Sequence, residues 1–188
     1  MSKIKFSPLI KEIHRLSKKV SSDLPFHATG IEKQLQEALA YEFRKAPKPV
    51  EAVREFFSEI YYKDFPVKDY RPDFVLFPDK SWKLDKTLIV ETKFGSLREL
   101  ASGREELFRY LYSAQQSPIK DLRKADTGIL IWWESRGTDM PSGGTKADRE
   151  TLLDIETAEY MPPDFQVVVE VWSVEDVKRK KFSKIASF

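Results

Sequence analysis

The chain has 188 residues, of which 41% are hydrophobic and 33% charged, with a formal net charge of +2; this is enough for one domain with its own hydrophobic core. It contains no cysteine, which excludes disulfides and thiolate metal sites, and no apolar run approaches the roughly 18 to 20 residues of a membrane-spanning helix. The basic start, residues 1–5, lacks the apolar stretch of a signal peptide, so we expect a cytoplasmic protein without a membrane partner.

Three helices are predicted in the first third of the chain. Apolar residues at helical spacing predict the first over about Pro8 to Val20. The second should begin after Thr29, because Thr29–Glu32 has the spacing of a capping box, and the prolines at 47 and 49 should end it. A third helix is predicted over Val50 to Ile60.

Strand signals dominate the rest of the chain. Predicted strands cover Tyr61 to Val67, Pro72 to Phe77, Thr87 to Phe94, Gly128 to Glu134 and Gln166 to Val174. A helix over Ser96 to Ala114 lies among them, and a short helix over Lys146 to Glu159 is expected in the last long connection. Together, these elements predict one α/β domain over residues 1–188, with a central mixed β-sheet flanked by helices. The core of the domain is expected to cover about residues 29–175.

Basic extensions are predicted at both ends of that core. Residues 1–20 have six basic residues and one acidic residue, a local charge of +5, and residues 176–188 have a local charge of +4. Such segments can follow a phosphate backbone by displacing its counterions. The alternative is a pair of solvated basic termini.

Two short charged motifs interrupt the apolar strands, Arg71-Pro72-Asp73 and Glu91-Thr92-Lys93. Burying an unpaired ion costs several kcal/mol or more. If the two strands form an antiparallel hairpin, Asp73 faces Glu91 at one end. Side chains alternate between the faces of a strand, so Lys93 joins Glu91 on one face and Thr92 is turned away.

Two opposed carboxylates repel each other, and a hard cation with oxygen ligands relieves that repulsion. We therefore predict a Mg²⁺ site with Asp73, Glu91 and the backbone carbonyl of Thr92 as ligands. A bound metal ion can activate water and neutralise charge on a leaving oxygen. Lys93 can orient that water or stabilise the negative charge of a transition state. These parts are typical of phosphodiester hydrolysis with one or two metal ions.

The motifs Pro72-Asp73 and Glu91-Thr92-Lys93 resemble the signature of the PD-(D/E)XK nuclease superfamily. The resemblance covers roughly Gly30 to Glu134, where the predicted order of helix, three strands, helix and strand is also similar. It implies a restriction-endonuclease-like core and Mg²⁺-dependent cleavage of DNA, with Mn²⁺ as a substitute ion. RNA is an alternative substrate, and a homodimer that cuts two strands is compatible with the sequence.

Two further features belong to this resemblance. Many members carry a glutamate on the first core helix, and Glu32 looks like that residue, so it is predicted to be catalytic and to bind metal. Glu32 is also the capping-box position, and Glu37 is the substitute candidate. Glu106–Tyr110 resembles a glutamine-containing motif of some relatives, with glutamate where glutamine is usual; its Arg109 and Tyr110 either contact phosphate or brace the site, or are a solvated charge and a core aromatic.

Two other readings stay open. The chain can be an inactive module of the same fold that binds nucleic acid or another protein. Alternatively, Asp73, Glu91 and Lys93 form a buried ion-pair network with a structural role. A melting temperature that does not respond to Mg²⁺ or EDTA favours the network, because a metal-binding native state is stabilised by mass action.

Overall fold

The computed structural model describes residues 8–24, 31–62, 65–134, 166–176 and 181–188. Within these ranges the chain forms three α-helices, which are α1 (Pro8–Asp23), α2 (Ile31–Lys45) and α3 (Leu97–Ala114). The strands are β1 (Val53–Arg54), β2 (Ser58–Tyr62), β3 (Phe65–Tyr70), β4 (Phe74–Leu76), β5 (Leu88–Gly95), β6 (Thr127–Glu134), β7 (Gln166–Asp176) and β8 (Lys181–Ser187). None of the described helices is both long enough and apolar enough to cross a bilayer.

Six strands form an open mixed sheet in the order β1-β4-β5-β6-β7-β8. Neighbouring strands are antiparallel except β5 and β6, which are parallel and are connected through α3. A parallel pair needs a crossover of this kind. β2 and β3 form a separate two-stranded antiparallel sheet. The predicted α/β class, with a mixed sheet flanked by helices, is confirmed.

Helices cover the two faces of the large sheet. Alternate strand residues divide between two cores: Val90 packs in the core that contains α1 and α2, and its neighbour Ile89 packs in the core under α3. This division follows from the two-residue side-chain period of a strand. α1 and β8 lie outside the predicted core range of 29–175 but contribute to the fold. Ile13 and Leu16 of α1 are fully buried, and β8 pairs along β7.

The predicted hairpin of β4 and β5 has the expected register. Val75 pairs with Ile89, and Phe74 pairs with Val90. β5 then continues past the end of β4 to Gly95, which has a positive φ of 127°. Ser96 caps α3 in a capping box with Glu99. The predicted helix over Ser96 to Ala114 is therefore confirmed, as are the first helix and the body of the second.

The prediction of a third helix over Val50 to Ile60 is wrong, and the predicted strand over Tyr61 to Val67 has the right type but the wrong bounds. The expected third helix contains β1 and the beginning of β2, and the expected strand over Tyr61 to Val67 spans parts of β2 and β3. A helix cannot pass Glu55, whose φ is +46°, and Phe56 packs edge-on against Phe77 at 5.5 Å instead. β8 was not predicted, because its lysines indicated a solvated end. The expected helix over Lys146 to Glu159 and the Thr29 cap lie outside the described residues.

Candidate functional site

The candidate site lies where β5 extends beyond its pairing with β4. The last pair of the two strands is Phe74 with Val90, and Asp73 and Glu91 lie directly beyond it. β5 provides Glu91 and Lys93, α2 provides Glu32, and α3 provides Glu106. The four groups therefore come from three elements that enclose one end of the hairpin.

The Lys93 ammonium is the centre of this cluster. Its Nζ lies 3.1 Å from Glu106 Oε2, 3.3 Å from Glu91 Oε1 and 3.6 Å from Glu32 Oε1. Burial lowers the pKa of Lys93, but the three carboxylates outweigh that effect and raise the pKa above its ordinary value. Lys93 is therefore a permanent positive charge in this arrangement.

Asp73 is held by Thr92. Asp73 Oδ2 accepts hydrogen bonds from the Thr92 amide at 2.7 Å and from its hydroxyl at 2.5 Å. The Thr92 hydroxyl in turn accepts a hydrogen bond from Gln36 Nε2 of α2 at 2.9 Å. The prediction that Thr92 is turned away from Asp73 is thus wrong for its hydroxyl. Asp73 lies beyond the last paired residue of β4, so its carboxylate can reach the face of β5 from which the Thr92 side chain projects.

Burial is the largest influence on the pKa values of Asp73 and Glu91. It raises the pKa of Asp73 to about 6, although the Thr92 hydrogen bonds act in the opposite direction. It also raises the pKa of Glu91 well above its ordinary value, and the charge of Asp73 adds to this shift. The Glu91 side chain is only 3% exposed. Among the described residues, none donates a hydrogen bond to Glu91 Oε2.

Glu32 lies in the cluster, and its alternative does not. Glu32 Oε2 accepts a hydrogen bond from the Phe94 amide at 3.2 Å, and its other oxygen faces Lys93. Glu37 is exposed on the same helix. The predicted capping role of Glu32 depends on Thr29, which lies outside the described residues.

Glu106 belongs to the site, although the sequence indicated only an unusual residue in a helix motif. It contacts Lys93, and its Oε1 accepts a hydrogen bond from Ser102 at 3.1 Å. Burial raises the pKa of Glu106, but the neighbouring Glu91 carboxyl and Lys93 outweigh burial and lower it. Arg109 is exposed and bonds back to its own helix, whereas Tyr110 stacks on Tyr70 with ring centroids 5.4 Å apart.

The donor atoms fit a hard divalent cation. When all four carboxylates are ionised, their charge exceeds that of Lys93 by three. Mg²⁺ is commonly bound by one or two carboxylates together with waters and substrate phosphates, and Glu91 Oε2 is a buried acceptor without a donor. In the described part of the chain, no three acidic or histidine side chains converge on a metal position. A site with Asp73 and Glu91 as its acidic ligands needs only two such side chains.

No protein-family model matches the chain, and no curated protein or solved structure matches it at a significant level. The resemblance to the PD-(D/E)XK superfamily therefore stays a prediction from the two sequence motifs.

Proposed function

We propose that the protein is a Mg²⁺-dependent nuclease that hydrolyses DNA phosphodiester bonds, with Mn²⁺ able to replace Mg²⁺. Asp73 and Glu91 would bind the cation together with the Thr92 carbonyl, and Glu32, which faces Lys93, would complete the acidic cluster beside it. The observation that carries the proposal is the Glu91 carboxyl group, which is buried in a sheet strand beside Asp73 and has one oxygen to which no described residue donates a hydrogen bond. A carboxylate in this position is costly unless a cation compensates it.

The bound cation would supply a polarised phosphoryl oxygen and an activated water. The chain supplies the remaining parts. Because the pKa of Lys93 is raised, the lysine acts as a hydrogen-bond donor and positive charge toward a phosphoryl oxygen, and it is unsuited to be a general base. Thr92 fixes the orientation of Asp73 through two hydrogen bonds, so that one carboxylate oxygen keeps a defined direction.

The order of elements supports the restriction-endonuclease-like core that the sequence motifs imply. After α2, the chain contributes the three strands β1, β4 and β5 to the large sheet. α3 and then β6 follow them along the chain. This matches the superfamily's order of helix, three strands, helix and strand, although β1 lies where a helix was predicted and the predicted strand over Tyr61 to Val67 falls in β2 and β3. The β2–β3 sheet is inserted between the first and second of these strands.

Exposed basic residues on α1 support a nucleic-acid partner. Lys11, Arg15 and Lys18 follow one another at helical spacing and are exposed. Arg15 is paired with Glu12 at 2.7 Å, which reduces its availability to a phosphate. Contacts of this kind predict that DNA affinity falls as salt concentration rises.

One observation favours a second reading. Lys93 contacts three carboxylates, as expected for a buried ion-pair network with a structural role. An inactive DNA-binding or protein-binding module is compatible with the same network. Both readings predict that divalent cations produce no hydrolysis.

A cleavage assay distinguishes these readings. The purified protein is incubated with circular and linear DNA, single- and double-stranded, in Mg²⁺, Mn²⁺ or EDTA. We expect metal-dependent cleavage that Asp73→Asn, Glu91→Gln and Lys93→Met each reduce by at least about a hundredfold, by analogy with the loss of one transition-state contact. Glu37→Gln, an exposed glutamate on α2, is the matched control and should retain activity. Cleavage that persists in the three site variants would refute the proposal.

A further inference from the structure

The aliphatic stem of Lys93 passes α3 at Gly103. A Cβ atom added to Gly103 would lie 2.6 Å from Lys93 Cγ and 2.8 Å from Leu130 Cδ1, both closer than real side chains approach. Gly103 is buried in the middle of α3 and has no positive φ, so its backbone does not require glycine. Glycine is unfavourable in a helix interior. Its presence is explained by the space that the lysine stem and the Leu130 side chain occupy.

The same helix also contacts the other end of the Lys93 side chain. Glu106 lies three residues after Gly103, which places both on one side of α3. Glu106 Oε2 is 3.1 Å from Lys93 Nζ, the shortest of the three contacts to that nitrogen. Ser102, on the preceding turn, donates a hydrogen bond to the other Glu106 oxygen. α3 therefore bounds the lysine at its stem and at its ammonium.

We propose that Gly103 and Glu106 are positioning residues for Lys93. Gly103 lets the stem lie flat between α3 and the sheet, and Glu106 directs the ammonium toward Glu91. Their effect on catalysis rests on the proposed nuclease function, whereas their effect on the position of Lys93 does not. Both effects can be measured separately.

Gly128 provides a matched control for Gly103. It is the other buried glycine of the interface between α3 and the sheet, and a Cβ there would lie 2.7 Å from Leu107 Cδ1. Gly128→Ala therefore overpacks the same interface to a similar extent without touching Lys93. For Glu106→Gln, the control is Glu105→Gln, because Glu105 is the adjacent, exposed glutamate.

The first readout is cleavage rate. We expect Gly103→Ala to lower kcat by roughly a hundredfold with little change in KM, since a displacement of about 1 Å at a reacting group can have that effect. Glu106→Gln should lower kcat by roughly tenfold, because an amide still occupies the position but attracts the ammonium less strongly. Gly128→Ala and Glu105→Gln should retain the wild-type rate. Equal losses in a variant and its control would overturn the proposal.

The second readout is the ¹H–¹⁵N resonance of the Lys93 ammonium in EDTA, assigned by its disappearance in Lys93→Arg. Gly103→Ala and Glu106→Gln should shift this resonance, and the two control variants should leave it in place. An unshifted resonance in both site variants would overturn the proposal, whatever the cleavage assay gives. If the wild-type protein cleaves no DNA, the nuclease function fails and this resonance alone decides the role of Gly103 and Glu106.

Overpacking at Gly103 can also prevent folding. In that case, Gly103→Ala is repeated in a Lys93→Ala background, where the stem that it would meet is absent. Recovery of the cooperative melting transition supports the proposal. Failure of the double variant to fold under conditions where Lys93→Ala alone folds would overturn it, because the contact with Leu130 would then explain the defect without Lys93.

Discussion

Replacing Asp73 with asparagine should stabilise the metal-free protein at neutral pH. Asparagine has nearly the shape of the protonated aspartate and can accept the two hydrogen bonds that Thr92 donates to Asp73. It cannot become charged. The substitution therefore removes the free-energy cost of holding a buried negative charge next to Glu32 and Glu91.

The size of the effect follows from the pKa of Asp73, which burial raises from 3.8 to about 6. Each pKa unit corresponds to about 1.4 kcal/mol, so the full effect is about 3 kcal/mol. The pKa of Asp73 is higher in the folded state than in the unfolded state. Between about pH 4 and 6, the folded state therefore keeps a proton on Asp73 that the unfolded state has lost. The stability of the wild-type protein should fall as pH rises through this window, and that of Asp73→Asn should fall less.

Urea denaturation in EDTA at pH 4 and pH 7.5 measures this difference. The two proteins should have similar free energies of unfolding at pH 4, and the variant should be more stable by up to about 3 kcal/mol at pH 7.5. Glu170→Gln is the control, because Glu170 is a buried carboxylate whose charge is satisfied by Arg104 at 2.6 and 2.8 Å.

Burial raises the pKa of Glu170, but the hydrogen bonds from Arg104 and Lys184 outweigh burial and lower it. The stability from this group is present above the unfolded pKa of 4.5 and is lost as pH falls. Glu170→Gln should therefore destabilise the protein at pH 7.5. An Asp73→Asn variant that is less stable than wild type in EDTA at pH 7.5 would contradict the reasoning.

Three further predictions concern stability. Excess Mg²⁺ should raise the melting temperature of the wild-type protein over its value in EDTA. At a free Mg²⁺ concentration of a hundred times Kd, the free energy of unfolding should increase by about 2.7 kcal/mol. Calorimetry that finds equal melting temperatures with Mg²⁺ and with EDTA would count against a metal site. Lys93→Met leaves the carboxylates of Glu32, Glu91 and Glu106 without their cation and should cost about 3 to 5 kcal/mol in urea at neutral pH, a prediction that fails if the variant matches wild type. Ser96→Ala removes the cap of α3 and should cost about 1 kcal/mol in the same experiment, and an unchanged midpoint would show that the cap contributes little.

The hairpin that carries the site could be predicted because its signals are local. Apolar residues on both strands and the length of the turn determined the register, and the expected pair of Val75 and Ile89 is present. The same register brings Asp73, Glu91 and Lys93 to one end of the hairpin. Glu32 was predicted from its place on the preceding helix, and it reaches Lys93.

Residues 50–70 could not be predicted in the same way. Their aromatic and charged residues fit neither a clear helical nor a clear strand period. The left-handed conformation of Glu55 and the contact between Phe56 and Phe77 depend on tertiary packing. Glu106 was not assigned to the site for a similar reason, because its contact with Lys93 depends on how closely α3 approaches the sheet at Gly103.

Direct metal binding tests the central claim most closely. Titration of the wild-type protein with Mn²⁺, followed by electron paramagnetic resonance of the free ion, should reveal a bound ion that Mg²⁺ displaces. Glu91→Gln should weaken this binding strongly, and Glu37→Gln should leave it unchanged. Equal binding by wild type and Glu91→Gln, or no binding by either, would contradict the assignment of Asp73 and Glu91 as ligands.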